Sequence, residues 1–300
     1  MAEPDAQAVV CVPLVGTTRI LGVLQVVWDA PRTFYVAERA VIATLAVYIA
    51  QALERAHRLD VRTGVAEILQ QAILSRPPTV ERYEVAACYL PADRQEKVGG
   101  DWYDAVNGRD GRLTIVIGDV VGHDMTAAAR MGQLSSMLRA YIVDRHEPPS
   151  ALLRRLDAAN HALGEPTVAT AVVAVIDSLA TGGYRIRWSN AGHPPPVVIH
   201  RDGTVQSLTG NDLLLGARRF APRRTWTAPL PCGSTVLLHT DGLVEHPRRA
   251  ADNGVADLHR RLRTARRTRL EDLLEDAVAQ IGADRTDDIA MLAVRLPADG

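Results

Sequence analysis

The stretch LTIVIGDVVGHDMTAAARM, residues 113–131, is an apolar run that ends on an acidic residue and continues at once into an alanine-rich segment. Its β-branched residues predict a buried strand, and Gly122 marks a turn. Asp124 precedes the alanine-rich segment, where its side chain can accept hydrogen bonds from the first amides of a helix. We therefore predict a strand, a turn and a capped helix. Asp119 is then a carboxylate at the mouth of a buried strand, which is costly unless a positive charge such as a metal ion lies against it.

The composition of the chain is typical of a soluble globular protein. Its 300 residues are 47% hydrophobic, and the formal net charge is −1 at pH 7. This balance gives no general attraction for nucleic acid or for an anionic membrane, and we expect neither as a partner. The basic run RRLRTARRTR from Arg260 is interpreted as a solvated helix face. The apolar stretch AVIATLAVYIAQAL from Ala40 is expected to be too short to span a bilayer.

Cysteine usage bears on the compartment. The three cysteines, Cys11, Cys88 and Cys232, are widely separated and form no CxxC pair. They indicate neither a disulfide framework nor a zinc site, so we expect a cytoplasmic protein.

The first segment of the chain has its own pattern. Two β-rich runs flank Gly16 and predict a hairpin, and a helical pattern begins at Val36 and continues towards Leu74. Pro77 and Pro78 end it. Two strands and one helix cannot bury both faces of a sheet, so this segment is interpreted as part of a domain, although it could instead be a strand pair added to the region that follows.

Beyond the two prolines, strands dominate. The predicted strands lie in YEVAACYLPA from Tyr83, RLTIVIGDV from Arg112, VATAVVAVID from Val168, GYRIRWSNAG from Gly183, PPVVIH from Pro195, STVLLHTDG from Ser234 and DIAMLAVRL from Asp288. Helices are predicted after Asp124, Ser150 and Thr268, each with an acceptor side chain at its start. This pattern predicts an α+β fold in which helices cover mainly antiparallel sheets.

Several acidic residues share one setting. Asp101 closes VGGD, Asp119 closes IVIGD, Asp241 follows VLLHT, and Asp287 and Asp288 open the last predicted strand. Each is expected at the end of an apolar segment, beside a glycine or a tight turn that lets backbone and ligand approach closely. Oxygen-only ligation by aspartates suits Mg²⁺ or Mn²⁺ rather than zinc. We predict a centre for two such ions.

Five motifs carry a resemblance. VGGDWYD, IGDVVGHD, SNAGHPPP, LHTDGLVE and RTDDIAML occur in this order. Together they resemble the serine/threonine phosphatases of the metal-dependent PPM superfamily, in particular its bacterial stage II sporulation protein E branch, over roughly residues 75–296. The resemblance implies an α-β-β-α sandwich of two mainly antiparallel sheets flanked by helices.

The resemblance also implies a ligand set for two Mn²⁺ or Mg²⁺ ions. Asp119 would bridge both ions and the backbone carbonyl of Val120 would complete one of them, while Asp101 would approach directly or through water. Asp241 and Asp287 would hold the other ion. Asp288 is expected to support the site without binding an ion.

Two histidines near these motifs are interpreted differently. His123 is the candidate general acid for the leaving serine oxygen, although it could merely brace its turn. His193 is interpreted as a packed loop residue, and Asn190 and Gly192 as parts of the cleft wall. Where this branch usually has glycine after the histidine, the chain has Asp124, which we interpret as a helix cap.

The N-terminal hairpin and helix resemble the C-terminal half of a GAF domain. We therefore predict a partial GAF-like sensor domain over residues 1–58, a helical linker over 59–76 and a phosphatase domain over 77–297. The resemblance makes the helix a candidate for coupling a signal and for pairing in a homodimer.

The function predicted from the resemblance is metal-dependent hydrolysis of phosphoserine or phosphothreonine. The implied substrate is a phosphorylated STAS-domain anti-anti-sigma factor in the partner switching that regulates a sigma factor. Two alternatives are disfavoured. A catalytically weak, phosphoprotein-binding regulatory module is one, because all four expected aspartate ligands are present. A diguanylate cyclase, suggested by GGD at residues 99–101, is disfavoured because WYD follows.

Overall fold

The computed structural model describes residues 6–73, 80, 82–91, 99–108, 111–122, 124–180, 182–245, 251–264, 269–279 and 287–298; for residues 59–73, 251–253 and 264 it describes the backbone alone. The chain divides into two compact units, Met1–Val65 and Ala66–Gly300. This division falls inside the predicted linker, while the predicted domain limits themselves stay predictions.

The first unit contains a hairpin and most of one long helix. Strands β1 (Ala8–Val15) and β2 (Ile20–Trp28) pair antiparallel, and helix α1 (Val36–Ile73) continues into the second unit. The predicted hairpin and the continuation of the helix past Gly64 are thus confirmed. Leu14 packs with Ala46 and Ala50 in a small apolar cluster.

Helix α1 is more apolar than the sequence interpretation allowed. Its segment Val36–Arg58 is long and apolar enough to cross a membrane, by length and composition alone. The stretch that begins at Ala40 is too short by itself, and the longer segment reaches this length only by including flanking residues, several of which are charged, such as Glu38, Arg39, Glu54 and Arg55.

The second unit is built on two five-stranded sheets in which all neighbouring strands are antiparallel. Sheet I has the order β10-β7-β6-β5-β4 and sheet II the order β3-β12-β11-β8-β9. The strands of sheet I are β4 (Asp101–Asn107), β5 (Leu113–Val120), β6 (Ala169–Ser178), β7 (Tyr184–Ala191) and β10 (Trp226–Leu230). Those of sheet II are β3 (Glu84–Leu90), β8 (Val197–Ile199), β9 (Val205–Ser207), β11 (Thr235–His239) and β12 (Ile289–Arg295).

Helices cover the outer face of each sheet. Helices α2 (Met125–Asp144) and α3 (Pro149–Ala162) pack on sheet I, and α4 (Ala251–Thr264) and α5 (Leu270–Ala279) pack on sheet II. The largest apolar cluster lies between the sheets and includes Ile117, Ile176, Ile186, Leu238 and Leu292. The predicted α-β-β-α sandwich is confirmed.

The stretch at residues 113–131 folds as predicted. Strand β5 buries both faces, with Ile115 and Ile117 towards sheet II and Val116 towards α2 and α3. Gly122 has a φ of 115°, which suits glycine in the turn. Asp124 accepts a hydrogen bond from the amide of Ala127 at 2.8 Å and caps α2.

Four details differ from the sequence interpretation. Asp101 begins strand β4 rather than ending an apolar segment. Strand β10, which contains Pro229, was not predicted, and helix α4 was predicted only as the helix face of the basic run from Arg260, because its earlier residues lack a clear apolar pattern. Ser150 does not cap α3; the cap position is Pro148, which provides no side-chain hydrogen bond.

Candidate metal centre

Two acidic side chains face each other across sheet I. Asp101 on β4 is the direct antiparallel partner of Asp119 on β5. Directly opposed residues project from the same face of a sheet, with Cβ atoms roughly 4.5–5.5 Å apart. Asp101 is buried and Asp119 half-buried. Two carboxylates are thus held side by side at one end of the sandwich.

Sheet II brings three more carboxylates. Asp241 begins a short 3₁₀ helix and is separated from the end of β11 by Thr240, and Asp287 and Asp288 directly precede β12. The amide of Thr240 donates to the carbonyl of Ala290 at 3.1 Å, and the amide of Ala290 donates to Oγ1 of Thr240 at 2.9 Å. These bonds fasten the end of β11 to the start of β12.

The five aspartates form what we call the acidic cluster: Asp101, Asp119, Asp241, Asp287 and Asp288. Strand β12 packs against β4 and β5, so the two groups of carboxylates meet between the sheets. Residues distant in sequence therefore share one site.

The pKa values of the cluster show how strongly its members interact. Burial, followed by the charges of Asp241 and Asp287, raises the pKa of Asp119 to about 7. Burial and the charge of Asp119 raise the pKa of Asp101 well above its usual range, although a hydrogen bond from Thr240 acts in the opposite direction. Burial and the charge of Asp287 raise the pKa of Asp241. The deprotonated cluster needs positive charge close by.

Unsatisfied oxygen and close backbone approach both fit a cation at this site. Within the described parts of the chain, Oδ2 of Asp101 is buried without a hydrogen-bond partner. A Cβ on Gly100 would lie 2.2 Å from the carbonyl oxygen of Val120, and one on Gly99 would lie 2.0 Å from Oδ2 of Asp288. Glycine is therefore required where backbone meets the candidate ligands. An all-oxygen donor set suits Mg²⁺ or Mn²⁺.

The cluster is not a closed ligand cage. No three His, Cys, Asp or Glu side chains among the described residues are grouped tightly enough to hold one ion by themselves. Mg²⁺ usually keeps several waters and takes only one or two protein carboxylates directly, so an open arrangement is compatible with it.

His193 lies buried beside the cluster and bonds to both sheets. Its Nδ1 is 2.7 Å from Oγ1 of Thr170, and its Nε2 is 3.1 Å from the carbonyl oxygen of His239. A carbonyl can only accept, so Nε2 carries the proton and Thr170 donates to Nδ1. Burial, followed by the nearby His239, lowers the pKa of His193 to about 3. The prediction that His193 is a packed residue is confirmed.

Asn190 and Gly192, the two residues predicted for the cleft wall, lie near the end of β7 and directly after it, beside His193 in the chain. The Asn190 side chain bonds to both backbone groups of His193, at 2.8 Å each, and so braces the loop. Gly192 has a φ of 77° and its amide donates to Asn211. His123, the candidate general acid, lies outside the described residues.

Sequence reasoning missed part of this site. Thr170 pairs with Asp119 across β5 and β6, and Thr240 fastens β11 to β12, yet neither was singled out. The only available signal was their position, since Thr240 immediately precedes Asp241 in TDG and Thr170 lies near the start of an apolar strand.

Solved structures share this architecture. The RsbU and RsbW domains of Rv1364c from Mycobacterium tuberculosis superpose with a TM-score of 0.64 at 31% identity, covering 76% of this chain and 63% of that one. RsbX in complex with magnesium superposes with a TM-score of 0.57 at 16% identity, covering 73% of this chain and 98% of that one. The fold is that of the PP2C-type phosphatases.

The family follows from the sequence match. Residues 109–297, more than half of the chain, match the family model described as Stage II sporulation protein E (SpoIIE), and the chain belongs to that family. It is 23% identical over 184 residues to phosphoserine phosphatase RsbU of Bacillus subtilis, covering 60% of this chain and 52% of RsbU. The chain spans between 42% and 52% of the lengths of the curated relatives it matches.

Proposed function

We propose that this chain is a metal-dependent protein serine/threonine phosphatase. The observation that carries the proposal is the acidic cluster, in which carboxylates from both sheets meet around buried, unsatisfied oxygen. Family membership and the relative named phosphoserine phosphatase support it. Two Mn²⁺ or Mg²⁺ ions, when bound, would activate a water and neutralise the phosphoryl oxygens. RsbX, which shares the fold, was solved with magnesium.

The chain's own groups have distinct tasks in this proposal. Asp119, which pairs with Asp101 on sheet I and interacts with the charges of Asp241 and Asp287 on sheet II, would contact both ions. The Val120 carbonyl, which Gly100 leaves open to close approach, would complete the ligands of one ion. Asp101 would support that side directly or through water, and Asp241 and Asp287 would hold the other ion. His123 would donate a proton to the leaving serine oxygen.

The proposed substrate is a phosphorylated STAS-domain anti-anti-sigma factor. This step rests on the resemblance of the motifs to the SpoIIE branch. In Rv1364c an RsbU domain occurs in one chain with an RsbW domain, which is compatible with a role in partner switching. The proposed coupling of the N-terminal hairpin to activity, and homodimer formation, would pass through α1.

Hydrolysis of p-nitrophenyl phosphate with and without Mn²⁺ tests the chemistry. We expect Mn²⁺-dependent turnover in the wild type, and its loss in Asp119→Asn and Asp241→Asn. Metal-free Asp119→Asn should at the same time melt at a higher temperature than the wild type, because a repelling charge is removed. This second readout separates a lost ligand from a damaged fold.

The same assay distinguishes the alternative. A regulatory module without catalysis would bind a phosphorylated STAS-domain protein. It would show no Mn²⁺-dependent hydrolysis of that protein or of p-nitrophenyl phosphate. Equal turnover with and without metal would reject the metal-dependent mechanism.

A further inference from the structure

A cavity of about 710 Å³ lies on the helix-covered side of sheet I, away from the acidic cluster. Its lining includes the end of β4, the start of β5 and the segment that joins α2 to α3. From Leu113 at this end, β5 runs six residues to Asp119, which separates the two places by about 20 Å. The volume is within the roughly 300–1,000 Å³ of small-ligand pockets.

The inner wall of the cavity is apolar. It is formed by Val106, Ile142, Leu152 and Val175, which are buried or half-buried. These side chains come from sheet I and from both of its helices. Such a wall favours a ligand with a hydrocarbon or aromatic part.

Arginines dominate one side of the opening. Arg112 and Arg187 line the cavity, and each contacts the carboxylate of Asp177, at 3.3 and 2.9 Å. Arg185 contacts the same carboxylate at 3.1 Å. One negative charge cannot balance Arg185 and Arg187 together. Among the residues that the structure describes, this corner of the sheet therefore carries surplus positive charge from Arg185 and Arg187.

The acidic side chains on the opposite wall do not offset this surplus. Asp144 is paired with Arg145 at 2.8 Å, and Glu147 accepts two hydrogen bonds of 2.6 Å from Arg155. The last turn of α2 and the first turn of α3 both reach the cavity, so their opposite end dipoles largely cancel.

We propose that this cavity binds a small amphipathic anion. A carboxylate, sulfonate or phosphate head group would contact the guanidinium groups of Arg112 and Arg187, and an apolar body would cover Val106, Ile142 and Leu152. The site is separate from the acidic cluster and needs no metal. It adds a ligand site to the phosphatase domain whatever the reaction at the other end.

Fluorescence titration with 8-anilinonaphthalene-1-sulfonate, an aromatic anion, tests the site in the full chain. We expect saturable binding to the wild type. The double variant Arg112→Gln/Arg187→Gln should bind about tenfold more weakly, which corresponds to about 1.4 kcal/mol, because both guanidinium contacts to the head group are removed. Ala140→Trp, at an exposed lining position of α2, should also reduce binding by filling the space. Arg130→Gln, on α2 outside the lining, is the matched control.

Competition identifies the ligand class. Octanoate is expected to displace the dye at concentrations where inorganic phosphate does not, and the reverse order would overturn the need for an apolar body. Because the dye also binds partly unfolded protein, each variant's thermal midpoint is measured alongside. Binding that is equal in the wild type, the arginine variant and Ala140→Trp would overturn the site. Loss of binding in the arginine variant but not in Ala140→Trp would also overturn the site, because the anion would then bind to the arginines outside the cavity.

Discussion

The hydroxyl of Thr170 lies 2.7 Å from Nδ1 of His193. Thr170 is opposite Asp119 on sheet I, and the same imidazole reaches the backbone of His239 on sheet II. One neutral histidine thus connects β6, the neighbour of the strand that carries Asp119, to β11, the strand that leads into Asp241. The spacing of the acidic cluster depends on this connection, because the cluster draws its members from both sheets.

His193 should make the stability of the fold depend on pH. The pKa of His193 is about 3 in the folded chain and about 6.5 in the unfolded chain. Between these two pH values the unfolded chain binds a proton at this ring and the folded chain does not. Stability is therefore lost as pH falls from about 6.5 towards 3. Between pH 6 and pH 4 the free energy of unfolding of the wild type should decrease as the pH is lowered. In His193→Gln this decrease should be smaller, by about 1 kcal/mol per pH unit. Urea unfolding at several pH values measures it, and identical slopes would contradict the buried, neutral ring.

Gly100→Ala should damage the fold and ion binding together. The new methyl group would meet the Val120 carbonyl oxygen at 2.2 Å, so the backbone must move. We expect a loss of about 1–3 kcal/mol in the free energy of unfolding. Calorimetric titration should also show weaker Mn²⁺ binding. Gly22→Ala is the control, because its Cβ would meet its nearest neighbour, Leu14, at an ordinary 3.8 Å. Unchanged Mn²⁺ affinity in Gly100→Ala would remove Val120 from the ligand set.

Asp124→Ala should cost stability and spare activity. The Asp124 side chain caps α2 through the amide of Ala127, and losing such a cap costs about 1 kcal/mol. Asp124→Asn keeps an acceptor oxygen and should retain most of the stability. Thermal unfolding and Mn²⁺-dependent hydrolysis of p-nitrophenyl phosphate are measured on both variants. A large loss of turnover in Asp124→Asn, at unchanged stability, would show that the negative charge acts at the metal centre.

The buried ion pair of Arg223 and Asp157 should be a major stabilising contact. The Arg223 side chain is fully buried, lies 2.9 Å from Asp157 and also donates to the carbonyl of Leu213. Asp157 in turn accepts from the amide of Gly216 at 2.9 Å. Arg223→Met leaves the buried carboxylate of Asp157 without its arginine and, among the described residues, with only His161, at 3.8 Å, as a basic neighbour, so we expect a loss of about 3–5 kcal/mol.

The double variant Arg223→Met/Asp157→Leu separates charge from packing. Removing both charges should restore part of the stability lost in Arg223→Met, although the Gly216 amide still loses its acceptor. Chemical denaturation of Arg223→Met, Asp157→Leu and the double variant gives the three losses. If the losses of the two single variants simply added up to the loss of the double variant, the two residues would not be coupled and the assignment would be wrong.

The sequence was informative where one local pattern determined one element. In residues 113–131 the β-branched run, Gly122 and Asp124 each favour the same strand, turn and capped helix, and that segment was predicted correctly. Strand β4 was missed because its sequence, DWYDAVN, contains two buried aspartates and so lacks apolar alternation. Asp104, one of them, is paired with Arg139 from α2, a contact that no local pattern reveals.

Long-range contacts account for the remaining gaps. The motifs indicated which aspartates belong together, but not that Asp101 and Asp119 are direct cross-strand partners. Asp157 and Arg223 are separated by 66 residues and meet only once α3 packs beside the segment that precedes β10. The cavity on sheet I likewise depends on how α2 and α3 are joined, which periodicity does not report.

The place of β12 has a consequence for how the site comes into being. Although β12 is the C-terminal strand of this chain, it lies inside sheet II, between β3 and β11. While the ribosome is still making residues 287–295, both neighbours lack their common partner and the carboxylates of Asp287 and Asp288 are missing. The acidic cluster therefore cannot be complete before β12 has been synthesised. A product that ends before residue 287 would lose a central strand of sheet II and not an edge strand.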